Sequence, residues 1–207
     1  MSTKVKKGQV TYDAEGTDIE TSKYFSRVIH WPGNSLSGVT IGRGYDMGNR
    51  MKIAVQQGMT QAGIPIATAK ALSEGAGLKG VKAKEFVEKH KKAIGKITHA
   101  QQIKLFDNIY PTYESRAKQN YDKWTATEKG RVEWSKLDQA VRDVLVDFVY
   151  QGFTRGPNPM KAGMNNDFEE LIKYIDGAAA IKQYEPGRNR AKYLKGRKPV
   201  KNSGAIK

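Results

Sequence analysis

The sequence contains no cysteine and only three histidines. Without cysteine there is no disulfide, no thiolate metal site and no cysteine nucleophile, although that absence does not fix a compartment. His30, His90 and His99 are scattered and carry no metal-ligand spacing, and His90 is expected to pad a helix face. No apolar run approaches the length that spans a bilayer. The stretch Met1–Gly8 is basic but has no apolar segment of the kind a secretory signal carries. A chain of this kind acting outside its producing cell is therefore expected to leave by lysis, through a dedicated machine, or as one part of a larger exported chain. Acid is also scarce: 21 Asp and Glu stand against 36 Lys and Arg, a formal net charge of +15. Such an excess points to a polyanionic partner, whether nucleic acid, an anionic membrane surface or an anionic cell wall.

What is present is enough for one sizeable domain. The chain has 207 residues, 38% of them hydrophobic, and no repeat or linker divides it. Residues before Asp13 read as a loose arm or a short helix. The aromatic and β-branched run Lys23–Trp31 ends at the turn formers Pro32-Gly33-Asn34-Ser35, and Val39-Thr40-Ile41 follows. That pattern predicts two strands joined by a turn, a small antiparallel sheet lying between Glu15 and Asp46.

From Arg50 the period becomes helical. Met51, Val55 and Met59 recur at four-residue spacing, Ile66–Leu72 continues after Gly63-Ile64-Pro65, and Gly75-Ala76-Gly77 reads as a stop. Phe86, Val87 and His90 mark one helix face. Thr98 with Gln101 has the form of a capping box, opening a helix that buries Ile103, Leu105 and Phe106, breaks near Pro111 and resumes over Tyr113–Trp124. Leu137, Val141, Val144, Leu145 and Phe148 form the buried stripe of a central helix closed by Gly152. Asn166 is placed to cap a helix carrying Phe168, Leu171, Ile172 and Ile175. Beyond Gly177 the chain is strongly basic, with a short helix near Pro186 and a tail. The expected fold is α+β, with a small β-lobe over residues 12–48, a helical lobe over 50–195 and a basic tail over 196–207.

The stretch Gly38–Gly48 draws attention for its chemistry. A β-type run breaks into glycines that set the Thr40 hydroxyl near the Asp46 carboxylate, and Glu15 lies upstream. A glycosidase needs one acid to protonate the departing oxygen and usually a second carboxylate for the water or the covalent step. Glu15 against apolar surface suits the acid, and Asp46 with Thr40 suits the water. Each residue also has a plain structural explanation. Glutamate before glycine ordinarily sits at a surface or a cap, threonine in a β run is ordinarily a strand former, and Trp31, Trp124 and Trp134 are most simply core residues. Gly42-Arg43-Gly44 lacks the further glycine and the Gly-Lys-Ser/Thr ending of a phosphate loop.

The run Val39-Thr40-Ile41-Gly42-Arg43-Gly44-Tyr45-Asp46 resembles the Thr-Ile-Gly-x-Gly signature of phage-type lysozymes, and Glu15-Gly16 matches that family's catalytic acid position. Asp46, six residues after Thr40, is similar to the arrangement in the pesticin-like toxin muramidases. The helix start at Ile97-Thr98, the buried segment Leu137–Gln151 and Arg188-Asn189-Arg190-Ala191 extend the likeness in the same order. Common phage lysozymes place histidine where this chain has Tyr45, and draw their aspartate from before the threonine. Asp18 is the aspartate closest to that place, but it lies only three residues after Glu15.

The resemblance implies a lysozyme-like fold and hydrolysis of the bond between N-acetylmuramic acid and N-acetylglucosamine. Glu15 would be the general acid, Thr40 would orient the water and Asp46 would be the second carboxylate, with Arg43 and Tyr45 touching the substrate. Inversion at the anomeric carbon is expected if the carboxylates stand far enough apart to hold a water. No metal and no cofactor is called for. The implied setting is an antibacterial toxin or effector domain, or a phage endolysin, made without a signal peptide and acting in the periplasm or wall of a target bacterium. Its partners would be peptidoglycan, anionic envelope polymers attracted by the basic C-terminal stretch, and an immunity or inhibitor protein, with the enzyme a monomer. The alternatives are a basic nucleic-acid-binding protein, which explains the charge but not the Glu15, Thr40 and Asp46 arrangement, and a non-catalytic wall-binding module.

Overall fold

The computed structural model of the protein describes residues 4–197, so residues 198–207 of the expected basic tail lie outside the described residues. The architecture is α+β, with a two-stranded antiparallel sheet and a majority of helix. The chain divides into two compact units, residues 1–112 and 113–207. The boundary falls inside one helix, His99–Thr125.

The first unit begins with the short helix α1 (Gln9–Ala14), which buries Val10, Thr11 and Tyr12. Strands β1 (Thr40–Ile41) and β2 (Tyr45–Asp46) follow, paired Thr40 with Asp46 and Ile41 with Tyr45. The strand expected over Lys23–Trp31 does not form as a ladder. Its backbone groups go to several partners: Phe25 bridges Thr17, the Ser26 carbonyl accepts from Gly42, and the Arg27 carbonyl accepts from Ile97. Only His30 pairs with the sheet, exchanging two N–H···O bonds of 2.9 Å with Thr40. The Pro32–Ser35 turn is present, held by the Asn34 side chain, whose Oδ1 accepts from the N–H groups of Leu36 and Ser37.

Helices α2 (Lys52–Gln61), α3 (Ile66–Ser73) and α4 (Gly80–Ile94) complete this unit. Val55 and Met59 are fully buried, whereas Met51 and Ile66 are 72% and 70% exposed. Met51 is the extended N-cap residue before α2 and Ile66 is the first residue of α3, where the apolar stripe has not yet turned inward. His90 stacks on Phe86 with ring centroids 4.5 Å apart, as the helix-face reading anticipates.

Helix α5 (His99–Thr125) crosses the unit boundary without the expected break at Pro111. Its capping box is formed in both directions: the Gln101 N–H donates to Thr98 Oγ1 at 3.2 Å, and the Thr98 N–H donates to Gln101 Oε1 at 2.8 Å. Proline removes the hydrogen bond to the Asp107 carbonyl at a cost of roughly 3 kcal/mol in a helix interior. Burial of Phe106, Ile109 and Tyr110 before it and of Ala117 and Tyr121 after it outweighs that loss.

In the second unit, α6 (Gln139–Tyr150) is the buried central helix, with Val141, Val144, Leu145 and Phe148 all inaccessible. Asp138 caps it by accepting from the Ala140 N–H at 2.7 Å. Helix α7 (Asn158–Ala162) follows, and α8 (Phe168–Gly177) is capped one residue later than expected, by Asp167, which accepts from the N–H groups of Glu169 and Glu170. Asn166 instead takes a left-handed φ of 57° and accepts from the Asp138 N–H at 2.7 Å, bracing the start of α6. Helices α9 (Ala179–Lys182), α10 (Glu185–Arg188) and α11 (Arg190–Lys195) close the unit.

This last segment corrects the reading of its charge. Arg190 is completely buried, its Nε 2.6 Å from Asp147 Oδ2 and its Nη1 3.0 Å from Glu185 Oε1, with Nη2 donating to Gln151. Arg188 donates to the other oxygen of the same aspartate at 2.8 Å. These two arginines are neutralised inside the fold and do not belong to a surface that gathers anionic polymers. Among the described residues, no helix is long and apolar enough to cross a membrane.

Candidate active site

The hairpin β1–β2 places Thr40 and Asp46 directly opposite one another, so their side chains leave the same face of the sheet. Thr40 is buried, and its hydroxyl donates to the Gly38 carbonyl at 3.2 Å, leaving the oxygen's lone pairs as acceptors. The half-buried Asp46 carboxylate accepts the Gly48 N–H at 2.6 Å on Oδ1 and the Gly38 N–H at 3.1 Å on Oδ2. Two backbone donors thus fix the plane of the carboxylate while each oxygen keeps further acceptor capacity. Glycine at 38 is required sterically, because a Cβ there would lie 2.3 Å from the Gly48 nitrogen and 2.5 Å from Asp46 Oδ1.

Glu15 is the C-terminal cap of α1, half-buried, with its N–H closing the helix on the carbonyls of Thr11 and Tyr12. Gly16 has φ of 141°, and a Cβ on it would meet the Ser26 side chain at 2.8 Å. The Glu15-Gly16 pair is therefore a helix stop fitted against the segment that follows it.

Arg43 joins the two parts. It sits in the hairpin turn, yet is only 5% exposed. Its guanidinium donates to the carbonyls of Tyr12 (3.0 Å) and Gly16 and to Asp18 Oδ2 at 2.9 Å, and it lies 4.5 Å from the Tyr12 ring centroid. It ties the residue after Glu15 to the turn between Thr40 and Asp46. Tyr45 is likewise buried, with its ring under Arg50 at 4.3 Å and its hydroxyl against Gly58 of α2. Burial gives Arg43 and Tyr45 packing and positioning contacts rather than an open surface for a polymer.

Asp18 is a hub that carries no local signal in the sequence. It contacts Arg43, Arg27 Nε at 3.0 Å, His99 Nδ1 at 3.2 Å and Gln102 Nε2 at 3.2 Å. Burial opposes its ionisation, but hydrogen bonds and charge from His99 and Arg43 outweigh it and hold the carboxyl below the usual aspartate range. Gln102 extends the hub, donating to the Tyr12 hydroxyl at 3.0 Å and accepting from Ser26 at 2.8 Å. Asp18 is thus engaged on both oxygens, which leaves Asp46 as the carboxylate opposite Thr40.

His30 was also missed, although its signal was present: a run ending at Trp31 and a run starting at Val39, joined through residues 32–38, pair it with Thr40. His30, Thr40 and Asp46 occupy one row across the strands, about 4.8 Å apart per step. His30 Nδ1 lies 3.1 Å from the Val28 carbonyl, which can only accept, so this nitrogen carries the proton. Burial pushes the imidazole toward its neutral form; the Val28 bond opposes this, Lys91 reinforces it and Asp46 opposes it. Among the described residues, no group of three or more His, Asp or Glu is arranged to hold a metal ion.

Comparison with curated proteins gave no match. A family model described as a domain of unknown function, DUF8812, matches residues 8–184. That span contains α1, the hairpin and the central helix α6, and the chain belongs to the DUF8812 family.

Proposed function

We propose that the protein is a peptidoglycan muramidase with a lysozyme-like fold. The observation that carries the reading is the hairpin itself: Thr40 and Asp46 stand opposed, and Arg43 between them anchors the backbone beside Glu15. A protonated Glu15 would deliver its proton to the glycosidic oxygen as the bond to the anomeric carbon breaks. A water held by the Thr40 oxygen and Asp46 would attack that carbon and pass a proton to Asp46, giving two sugar hydroxyls. Arg43, Gly16 and Gly38 would act by positioning, since a small misplacement of the reacting groups is costly. The sequence resemblance to phage-type and pesticin-like muramidases supplies the substrate class.

The test is Glu15→Gln, which keeps the shape and removes the acid. Clearing of a purified peptidoglycan suspension is expected to fall by about 100-fold or more, with circular dichroism unchanged. Undiminished clearing would sink the assignment of the acid. Mass spectrometry of the digest is expected to show reducing muramic acid ends; anhydro-muramic ends or cut peptides would replace the hydrolase with a transglycosylase or an amidase.

A further inference from the structure

Outside the hairpin, the first unit carries a cavity of about 470 Å3 between the segment 20–30 and the exit of α4. It shares no lining residue with Glu15, Thr40 or Asp46. Lys23, Lys91, Lys92 and Lys96 are among its lining residues. Glu20 also lines it and is paired with Lys96 at 2.6 Å and with Arg27 at 3.6 Å, and the Lys23 ammonium lies 4.9 Å from the Tyr24 ring centroid. Lys91 and Lys92 have no counter-ion among the described residues. Favourable interaction with the C-terminal end of a helix accounts for lysines in the last turn of α4. Lys23, from an earlier segment, and Lys96, two residues past the end of that helix, add positive charge to the same lining.

We propose that this cavity binds the phosphate group of a phosphorylated sugar or polyol. Several compact ammonium charges that are not arranged as planar forks suit a tetrahedral phosphate dianion better than a single carboxylate. Ser22 adds a hydroxyl: its oxygen accepts the Tyr24 N–H at 3.1 Å, and its O–H remains available to donate. The side chains of Phe25 and Val28 supply an apolar wall for the carbon skeleton. The volume corresponds to roughly fifteen water molecules, enough for a phosphate and one sugar-sized body. A concave site of this size fits a headgroup, whereas a nucleic-acid backbone calls for a charged track. His30 also lines the cavity and reports on it, since an anion beside Lys91 would offset the lysine's effect on the imidazole.

Glycerol 3-phosphate and inorganic phosphate, titrated into the 15N-labelled full chain at low salt, are expected to give saturable shifts at Ser22, His30 and Gly95. Lys91→Gln/Lys92→Gln is expected to bind glycerol 3-phosphate about tenfold more weakly, the loss of two exposed ion pairs. Lys82→Gln/Lys84→Gln, on the same helix but away from the cavity, is expected to bind as the wild type does. Tighter binding of a poly(glycerol phosphate) chain than of the monomer would identify an envelope polymer as the source, and equal binding a free phosphometabolite. The proposal is overturned by shifts that do not saturate, by equal loss in both lysine pairs, or by preferential binding of an oligonucleotide of matched charge. None of these readouts depends on wall clearing.

Discussion

Replacing Asp147 by asparagine tests the buried network of the second unit. Asp147 and Arg190 both have fully inaccessible side chains and meet at 2.6 Å, and Arg188 shares the same carboxylate. Asparagine keeps the volume but leaves the Arg190 guanidinium with only Glu185 as a counter-charge and puts an amide NH2 in place of one acceptor. Removing one member of a buried ion pair costs about 3–5 kcal/mol, because the remaining charge stays desolvated without full compensation. Whole-protein stabilities are about 5–15 kcal/mol, so this is a large fraction. For a chain of this size each kcal/mol moves the midpoint by about 2–4 °C, which gives a fall of roughly 6–20 °C by calorimetry. The double variant Asp147→Leu/Arg190→Met, with no charge left at the centre of the network, is expected to recover much of the loss. A fall of under about 2 °C in Asp147→Asn, below one kcal/mol on the same scale, would show that water or Glu185 already satisfies Arg190.

Two other perturbations probe the first unit. Gly38→Ala would drive a Cβ into the Gly48 backbone; a loss of about 1–3 kcal/mol is expected from overpacking, with wall clearing lost more steeply than stability, and unchanged clearing would detach the hairpin from the activity. Acid stability should report Asp18, whose folded carboxyl lies below its usual range despite burial. The unfolded chain takes up that proton first as pH falls, so the stabilisation is present above about pH 4 and is lost as pH drops through the folded pKa. Urea midpoints measured from neutral to strongly acid solution should therefore fall less steeply in Asp18→Asn than in the wild type, and parallel curves would refute the role of Asp18 as a hub.

Much of the helical framework was legible in the sequence because it is written locally. The Thr98 and Gln101 capping box, the apolar stripe of α6 and the Asn34 turn each depend on residues within a few positions of one another. The closeness of Thr40 and Asp46 was legible for the same reason, as glycines follow a short β-type run, but Tyr45–Asp46 as the second strand was not. Local signals failed where long-range contacts decide. Lys23–Trp31 has strand-forming residues, but its carbonyls are claimed by Gly42 and Ile97, so no ladder propagates. Pro111 reads as a break, but burial on either side of it sustains the helix.

The amino-acid sequence by itself determined the absence of thiol chemistry, the basic balance, and the clustering of Thr40 and Asp46 behind glycines. Tertiary structure alone decided which charges are spent inside the fold. Arg43, Arg188 and Arg190 look like surface cations in one dimension, yet each meets a carboxylate distant in sequence. The reason is physical: a buried guanidinium is tolerated only beside acceptors, and those acceptors lie 25 to 43 residues away along the chain. Lys91 and Lys92, by contrast, stay exposed beside the cavity. Fold geometry, not composition, separates cations spent inside the fold from cations left at its surface.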